Sequence, residues 1–260
     1  MKVKIALAQT VGSSTPSAKE DNLDKAIKLI EEAAVNRAQI VVFPEVFMGG
    51  NSPEDIYGPF VSSIARRARE LGIYVVVGIR EKNPLTEKHY NTVVFIDSKG
   101  SVIGTHRKIQ LYDAFDFKES NNVIAGDKIT PPFNTKFGMV GVITCYEIRF
   151  PEIARILTLM GTEILLVPSA WKKGPLKEEH WLTLVKARAL ENTIFIAAVG
   201  QTGNTYIGRS VIVDPFGIVI ADAGEEEKLL VAELDLDRIK NVRKILPVLG
   251  QRREEVYKML

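Results

Sequence analysis

The sequence predicts an α/β fold made of two related halves that face each other across one core. Short apolar runs rich in β-branched residues alternate with stretches whose apolar residues recur at helical spacing, the pattern of sheets flanked by helices. The same order starts again near residue 138, after a long connection over residues 106–137. One half alone could not bury the apolar face of its sheet, so we expect the two halves to share a core.

In the first half, strands are predicted where short apolar runs occur, over residues 4–9, 40–43, 73–79, 91–97 and 102–105. In each of the two intervals between the first three runs, apolar residues recur at helical spacing, which predicts a helix. The second of these helices ends at Gly72, and glycine suits the position just after a helix. The turn signal Asp97-Ser98-Lys99-Gly100 joins the last two runs, which predicts a hairpin.

The second half repeats this order. Its apolar runs cover residues 139–144, 164–169, 194–200 and 212–217, and they echo residues 4–9, 40–45, 73–78 and 95–100. Proline and glycine recur at matched places, since Pro168 corresponds to Pro44 and Gly217 to Gly100. Any α/β chain yields some echoes of this kind, but four in register favour a duplication.

Two segments lie outside the repeat. Residues 106–137 show little periodicity but contain aromatic residues, and so long a connection in a compact domain is typically functional, so we expect it to be ordered. Residues 237–260 form a charged tail with scattered apolar residues, which we expect to dock on a neighbouring subunit. The whole chain, residues 1–260, is predicted to be a single domain.

The composition indicates a globular protein without a nucleic-acid or membrane partner. Basic and acidic residues nearly balance, 34 against 32, so the net charge of +2 gives no reason to expect either surface as a partner. No apolar run approaches the length of a membrane span, and the first apolar stretch is too short for a signal-peptide core. A single cysteine excludes an internal disulfide and a cysteine-cluster metal site. We therefore expect a cytoplasmic location.

That cysteine, Cys145, stands between the apolar run over residues 139–144 and a helix predicted to begin at Pro151. The carboxyl end of a buried strand is where open α/β sheets keep their ligands. A nearby helix N-terminus also favours the thiolate over the thiol. Cys145 is therefore a candidate nucleophile, and the alternative is a small buried hydrophobic residue.

A nucleophilic cysteine needs a base and a group that stabilises an oxyanion. The three histidines, His89, His106 and His180, do not lie in a papain-like context, so a Cys-His dyad is possible but unsupported. The nucleophile turn of class I glutamine amidotransferases has glycines two residues before and two residues after the cysteine. Here those positions are Ile143 and Glu147, which counts against such a site.

Two charged residues follow strands of the first half. Glu45 ends the run Val41-Val42-Phe43-Pro44, and Lys108 comes just after the predicted strand over residues 102–105. Taken singly, Glu45 would be read as a helix cap or salt-bridge residue and Lys108 as a solvated charge.

Three motifs together resemble the signatures of the nitrilase (carbon–nitrogen hydrolase) superfamily, in its order and over nearly the whole chain. They are Val41-Val42-Phe43-Pro44-Glu45, His106-Arg107-Lys108-Ile109-Gln110-Leu111 and Ile143-Thr144-Cys145-Tyr146-Glu147-Ile148-Arg149-Phe150-Pro151-Glu152. The ending over residues 242–253 resembles the branch that contains Nit-type ω-amidases, with deaminated-glutathione amidases beside them.

The resemblance implies a four-layer α-β-β-α sandwich that assembles into homodimers or larger homo-oligomers and needs no metal or organic cofactor. It implies that Glu45 is the general base, Lys108 the oxyanion stabiliser and Cys145 the nucleophile. The second glutamate of the family matches Glu119 best, while Glu147 and Glu152 are expected to be structural.

The resemblance also suggests a substrate. An arginine four residues after the cysteine grips a substrate carboxylate in related amidases, so Arg149 is a candidate clamp; the alternative is an ion pair with Glu152. Tyr146 would contribute its backbone N–H to the oxyanion site, and Trp171 and Phe47 are candidate pocket walls. The expected substrate is a small linear amide bearing a carboxylate, which would release ammonia through a thioester.

Two alternatives stay open. The first is a nitrilase or an N-carbamoyl amino-acid amidohydrolase on the same site; the nitrile branch often has tryptophan after the cysteine, which Tyr146 does not match. The second is a non-catalytic scaffold or binding protein, which would have no need to place two charges and a thiol together.

Overall fold

The computed structural model describes residues 1–12, 15, 17–50 and 52–256. Within them the first sheet consists of β1 (Lys2–Gln9), β2 (Ile40–Val42), β3 (Tyr74–Glu81), β4 (His89–Ile96), β5 (Val102–Arg107), β8 (Val123–Ile124) and β15 (Lys228–Asp235). Their spatial order is β15-β1-β2-β3-β4-β5, with β8 beside β4. Strands β1, β2 and β3 run parallel, and β4, β5 and β15 are antiparallel to their neighbours.

The second sheet consists of β9 (Phe133–Thr135), β10 (Gly138–Val142), β11 (Ile164–Ser169), β12 (Phe195–Gly200), β13 (Val211–Val213) and β14 (Val219–Asp222), in the spatial order β14-β13-β12-β11-β10-β9. Here β10, β11 and β12 are parallel, and β13 and β14 follow antiparallel. This is the order and direction of β1 to β5, so the prediction of two related halves is confirmed.

Five helices in the described residues cover the sheets: α1 (Ala18–Val35), α2 (Pro59–Leu71), α3 (Pro151–Leu159), α4 (Lys177–Asn192) and α5 (Asp237–Ile245). Helices α1 and α2 pack on the outer face of the first sheet, and α3 and α4 on the outer face of the second. The inner faces meet in one apolar core that includes Ile5, Ile40 and Val76 from the first sheet and Val142, Leu166 and Ile212 from the second. The architecture is the predicted four-layer α-β-β-α sandwich.

Local sequence explains where these helices begin and end. Prolines occupy the first helical positions of α2 and α3, where the missing N–H costs no hydrogen bond. Gly72 ends α2 in the left-handed conformation, with φ of 65°, which glycine adopts without strain. In α3, Ile153, Ala154 and Leu157 lie on one face and are buried against the sheet.

The connection over residues 106–137 is ordered, as predicted. It contains a small hairpin of β6 (Asp113–Ala114) and β7 (Phe117–Lys118) and a 3₁₀ turn (Glu119–Asn121). Its strand β8 pairs with β4 in the first sheet, and its strand β9 pairs with β10 in the second. Much of the connection is exposed, but His106, Lys108, Val123, Thr135 and Phe137 are buried.

The tail predicted over residues 237–260 begins as part of this chain's own core. In α5, Ile239 and Val242 are buried, and Leu236 just before the helix donates its N–H to the carbonyl of Met1. Residues 257–260, with Tyr257, lie outside the described residues. Contact of the remaining tail with a second subunit stays a prediction. None of the helices in the described ranges has the length and apolar character needed to span a membrane.

Candidate active site

The three residues predicted to be catalytic meet between the two sheets. Glu45 follows β2, Lys108 follows β5, and Cys145 opens a 3₁₀ turn (Cys145–Arg149) after β10. They expose only 4%, 2% and 7% of their surface, respectively, so two charges and a thiol lie together in a nearly dry environment. Because Glu45 and Lys108 come from the first half and Cys145 from the second, face-to-face packing of the sheets assembles the group.

Lys108 lies between two carboxylates. Its Nζ donates to Oε1 of Glu45 and to Oε2 of Glu119, each at 2.8 Å. An ammonium group has three N–H bonds, and the described residues accept only these two. The third is available to a group in the adjoining cavity.

Glu45 is held from four directions. Besides Lys108, Oε1 accepts a hydrogen bond from Nδ2 of Asn91 at 2.8 Å, and Oε2 accepts one from the backbone N–H of Ala170 at 2.8 Å. Its backbone carbonyl accepts a hydrogen bond from Nε2 of Gln201 at 2.9 Å. Both carboxylate oxygens are therefore fixed before any ligand arrives.

The backbone around Glu45 also depends on a glycine below it. A Cβ atom on Gly78 of β3 would lie 2.5 Å from the backbone nitrogen of Val46 and 2.7 Å from the carbonyl oxygen of Pro44. Only a residue without a side chain lets β3 approach the Glu45 backbone so closely.

Glu119, the candidate for the second glutamate, lies in the same group. Its Oε2 accepts hydrogen bonds from Lys108 and from the backbone N–H of Tyr112, the latter at 2.7 Å, and its Oε1 accepts one from Nδ2 of Asn91 at 2.9 Å. The connection over residues 106–137 thus folds back on its own first residues and places a second carboxylate on Lys108.

Burial and charge set the protonation states of the three central groups. Burial alone would raise the pKa of Glu45, but the Lys108 ammonium and the hydrogen bonds from Lys108, Cys145 and Asn91 lower that pKa below its ordinary value. Burial alone would lower the pKa of Lys108, but the facing carboxylates and thiol raise that pKa above its ordinary value.

For Cys145, burial and then the Glu45 charge raise the pKa of the thiol well above its ordinary value, and Lys108 opposes them. The raised pKa of Cys145 favours its neutral thiol, and the lowered pKa of Glu45 favours its carboxylate. Because the two groups share one proton, they titrate as a pair.

Glu147 ties the turn of Cys145 to the segment of Lys108. It is fully buried and accepts hydrogen bonds from the backbone N–H of Thr144 at 2.5 Å and of Ile109 at 2.6 Å. A third contact, at 2.7 Å, joins it to Nε2 of His106. These contacts account for the predicted structural role of Glu147, and they engage His106 away from Cys145.

Cys145 itself has a φ of 49°, in the left-handed region that side chains rarely adopt. Glu147, which accepts the N–H of Thr144, and helix α3, which follows the turn, hold the backbone of Cys145 in this conformation. Such a conformation persists only where the surroundings impose it, and it is typical of functional positions.

A cavity of about 200 Å³ opens beside this group, and Glu45, Lys108, Glu119 and Cys145 all line it. Arg80, Asn91, His89 and Tyr206 also line this cavity, and Arg149 does not. The space is large enough for a small organic molecule.

A second and much smaller space, of about 20 Å³, adjoins the first, and both are lined by Tyr112, Cys145, Ala170 and Lys172. It is lined by the predicted substrate-binding residues Tyr146, Arg149 and Trp171, together with Lys172 and Lys177. Phe47 does not line either space: it is fully buried, with its ring centroid 4.9 Å from that of Phe43 in the core beneath α1 and α2. Phe47 instead lines a neighbouring cavity of about 620 Å³, which shares Arg80 and Tyr206 with the cavity of Glu45.

Arg149 lies with its guanidinium carbon 4.7 Å from the centroid of the Trp171 ring. Its Nε and Nη2 are buried and have no hydrogen-bond partner among the described residues. The alternative ion pair with Glu152 is not present. Lys172 and Lys177 likewise lack a carboxylate partner in the described ranges and contact the aromatic rings of Phe117 and Phe115. The small space is therefore lined by three uncompensated cations.

Sequence reasoning missed Asn91 and the backbone N–H of Ala170. Asn91 is a buried polar residue near the start of β4, just before the apolar stretch over residues 93–96, and this was the one available signal. A backbone donor leaves no signal in the sequence. Where the chain is described, no group of three histidine, cysteine or carboxylate side chains is arranged to hold a metal ion.

The chain is similar to known proteins over nearly its whole length. Residues 4–244 match the family described as carbon-nitrogen hydrolase. The chain is 38% identical over 244 residues to the deaminated glutathione amidase of Escherichia coli O157:H7, covering 90% of this chain and 92% of that protein. It is also 38% identical to omega-amidase NIT2-A of Xenopus laevis, covering 98% of this chain and 97% of that protein. A solved structure of Saccharomyces cerevisiae Nit3, described as a member of branch 10 of the nitrilase superfamily, superposes with a TM-score of 0.85 at 32% identity and covers 97% of each chain.

Proposed function

Because the chain belongs to the carbon–nitrogen hydrolase family of the nitrilase superfamily, and is an amidase, we propose that it hydrolyses a small linear amide bearing a carboxylate. The reaction would release ammonia through a thioester on Cys145. Relatives named omega-amidase and deaminated glutathione amidase support amide hydrolysis. The observation that carries the proposal is the contact of Glu45 with both Lys108 and Cys145 in one cavity.

In the first step, sulfur attacks the amide carbonyl while Glu45 takes the thiol proton. Oε1 of Glu45 already accepts two hydrogen bonds, so Oε2, with one protein donor, is the oxygen with room for that proton. The negative charge that develops on the carbonyl oxygen is stabilised by the remaining N–H of Lys108 and by the backbone N–H of Tyr146.

The tetrahedral intermediate then collapses. The carbon–nitrogen bond breaks, Glu45 returns its proton to the departing nitrogen, and the acyl group stays on sulfur as a thioester. Water attacks the thioester carbonyl and gives one proton to Glu45, which passes it to the leaving sulfur. Glu119, fixed on Lys108, orients this water. The products are one carboxylic acid and one amine, and the enzyme regains its thiol.

The acyl carboxylate would bind Arg149. Two guanidinium nitrogens buried without a partner are costly unless a ligand satisfies them, and a planar guanidinium suits a carboxylate. Lys172 and Lys177 add positive charge to the same small space. Its volume of about 20 Å³ has room for little more than a carboxylate, so the acyl chain should be short.

A second candidate is an N-substituted amide with a larger leaving amine. Glu45, which must protonate the departing nitrogen, lines the cavity of about 200 Å³, far more than ammonia needs. Arg80 lines the same cavity, donates Nη1 to the carbonyl of Gly50 and has no carboxylate partner in the described part of the chain. An amine carrying an anionic group would fit this side.

The test compares wild type with Cys145→Ala on a panel of amides with and without a carboxylate, an N-substituted amide, a carbamoyl amino acid and a simple nitrile. Ammonia and free amine are both measured. We expect cysteine-dependent release that is fastest from the carboxylate-bearing amides. Release that is fastest from the carbamoyl compound or the nitrile would replace the amidase assignment with one of those activities. No release from a folded protein would contradict the proposal.

A further inference from the structure

Asn91 contacts every charged member of the site from near the start of β4. Only 2% of its surface is exposed, and its backbone carbonyl accepts the N–H of Lys108 at 2.8 Å. Its side-chain Nδ2 donates to Oε1 of Glu45 at 2.8 Å and to Oε1 of Glu119 at 2.9 Å. One residue therefore sets the start of the lysine segment and the orientation of both carboxylates.

These contacts close a ring of four hydrogen bonds, which we call the carboxylate ring: Lys108 and Asn91 alternate with Glu45 and Glu119. Two carboxylates this close would repel each other. The ring separates them with one cation on one side and one neutral amide on the other. Both N–H bonds of the amide are used, each on a different glutamate.

The amide can point only one way. Oδ1 of Asn91 is buried and has no hydrogen-bond partner among the residues described. Rotating the amide would place this oxygen against two carboxylates, so the observed orientation is forced even though it leaves an acceptor unpaired. A buried polar atom left unpaired costs free energy, and its retention calls for an explanation outside stability.

We propose that Asn91 is a positioning residue for the hydrolysis: it occupies Oε1 of Glu45 and so leaves Oε2 as the oxygen with room for the thiol proton, and it holds Glu119 beside Lys108 without a second cation. The inference rests on the proposed function in taking Glu45 as the general base. A lysine in place of Asn91 would add a second cation and neutralise the charge of both carboxylates. An apolar residue there would leave Glu45 and Glu119 to repel each other.

Other titratable or charged groups face the ring from every neighbouring element. They are Cys145 from the 3₁₀ turn, Tyr112 from the long connection, Arg80 and His89 from β3 and β4, Tyr206 from the loop before β13, and Arg149 and Lys177 beyond the thiol. All of them are unchanged by a substitution at residue 91, so a shift between variants reports on the ring.

The test measures the pH dependence of kcat/KM and of Cys145 alkylation by iodoacetamide in wild type, Asn91→Leu and Asn91→Asp. Asn91→Leu removes both donors and keeps the branched shape with the same number of heavy atoms, and Asn91→Asp adds a third carboxylate. We expect the acid limb of kcat/KM to move to higher pH by about half a unit in the first and by about one unit or more in the second. At pH 7, kcat/KM should fall about 10-fold and about 100-fold, respectively. The alkylation profile should move in the same direction.

Asn192→Asp is the matched control. Asn192 is also fully buried and donates to a carboxylate, that of Glu191, but it lies at the end of α4 outside the site. It should lower stability without moving either pH profile. If the Asn91 variants lose activity but keep the wild-type profiles, Asn91 is only structural and the inference fails. If wild type hydrolyses no amide but its alkylation profile shifts in the Asn91 variants, the proposed function fails and the positioning role stands.

Discussion

The thiol of Cys145 lies in an environment very different from water. Its pKa lies well above the ordinary 9.0 because the side chain is buried and faces the Glu45 charge. A thiol held neutral in this way is not an intrinsically reactive thiolate. In the proposed reaction its nucleophilicity depends on Glu45 taking the proton during attack, which differs from cysteines activated by a histidine or by a helix N-terminus.

The same shift predicts how stability depends on pH. A raised folded pKa stabilises the folded state below the unfolded value of 9.0, and that contribution is lost as pH rises. Above pH 9 the stability of wild type should fall relative to Cys145→Ala by about 1.4 kcal/mol per pH unit. Urea unfolding of both proteins between pH 8 and pH 10.5 measures the difference. Parallel curves would mean that the folded thiol titrates like an unfolded one.

Residues at strand ends were predictable from the sequence, and residues inside strands were not. Glu45 and Cys145 end apolar runs, where side chains of an α/β sheet reach a ligand. Asn91 is the first residue of the run predicted over residues 91–97, and nothing local distinguishes a polar residue that orients two carboxylates from one that packs against a helix. Phe47 was assigned to the pocket because it follows Glu45 closely, but the turn after β2 directs it into the core instead.

At the scale of elements, the site depends on how β5 is joined to the turn after β10. Glu147 makes this joint with Thr144, Ile109 and His106, and no water reaches it. The joint spans the two sheets, since β5 belongs to the first and β10 to the second. It therefore couples the position of Lys108 to that of Cys145.

Glu147→Gln should destabilise the fold by about 3 kcal/mol, because the amide cannot accept from both backbone donors and His106 as the carboxylate does. Glu163→Gln is the matched control: Glu163 is half-buried and accepts one backbone hydrogen bond, from Met139 at 3.1 Å, so its loss should cost less than about 1 kcal/mol. Denaturant unfolding measures both. Equal losses in the two variants would show that the joint contributes no more than an ordinary hydrogen bond.

The long connection shows where prediction by periodicity ends. Its order was expected from its aromatic residues, but its path was not, because β6, β7 and β8 are only two residues long each. A strand of two residues is too short to show an alternation of apolar and polar residues in the sequence. Their positions follow from tertiary contacts, such as that of Glu119 with Lys108.

At the scale of the whole molecule, duplication explains why the site lies at the centre. Each half places the ends of its parallel strands at the same edge of its sheet, and stacking the sheets brings the two edges together. Strand β15 of the second half pairs with β1 of the first along its whole length and locks this arrangement. The homodimer and the cytoplasmic location remain predictions from the sequence.

In the proposed reaction, residues of both halves cooperate to form a thioester on Cys145. The most direct measurement is mass spectrometry of the enzyme quenched in acid during turnover of a carboxylate-bearing amide, followed by peptide mapping. We predict an adduct on Cys145 with the mass of the substrate less ammonia, absent from Cys145→Ala. Ammonia release that persists in Cys145→Ala, or an acyl group mapped to another residue, would contradict the account.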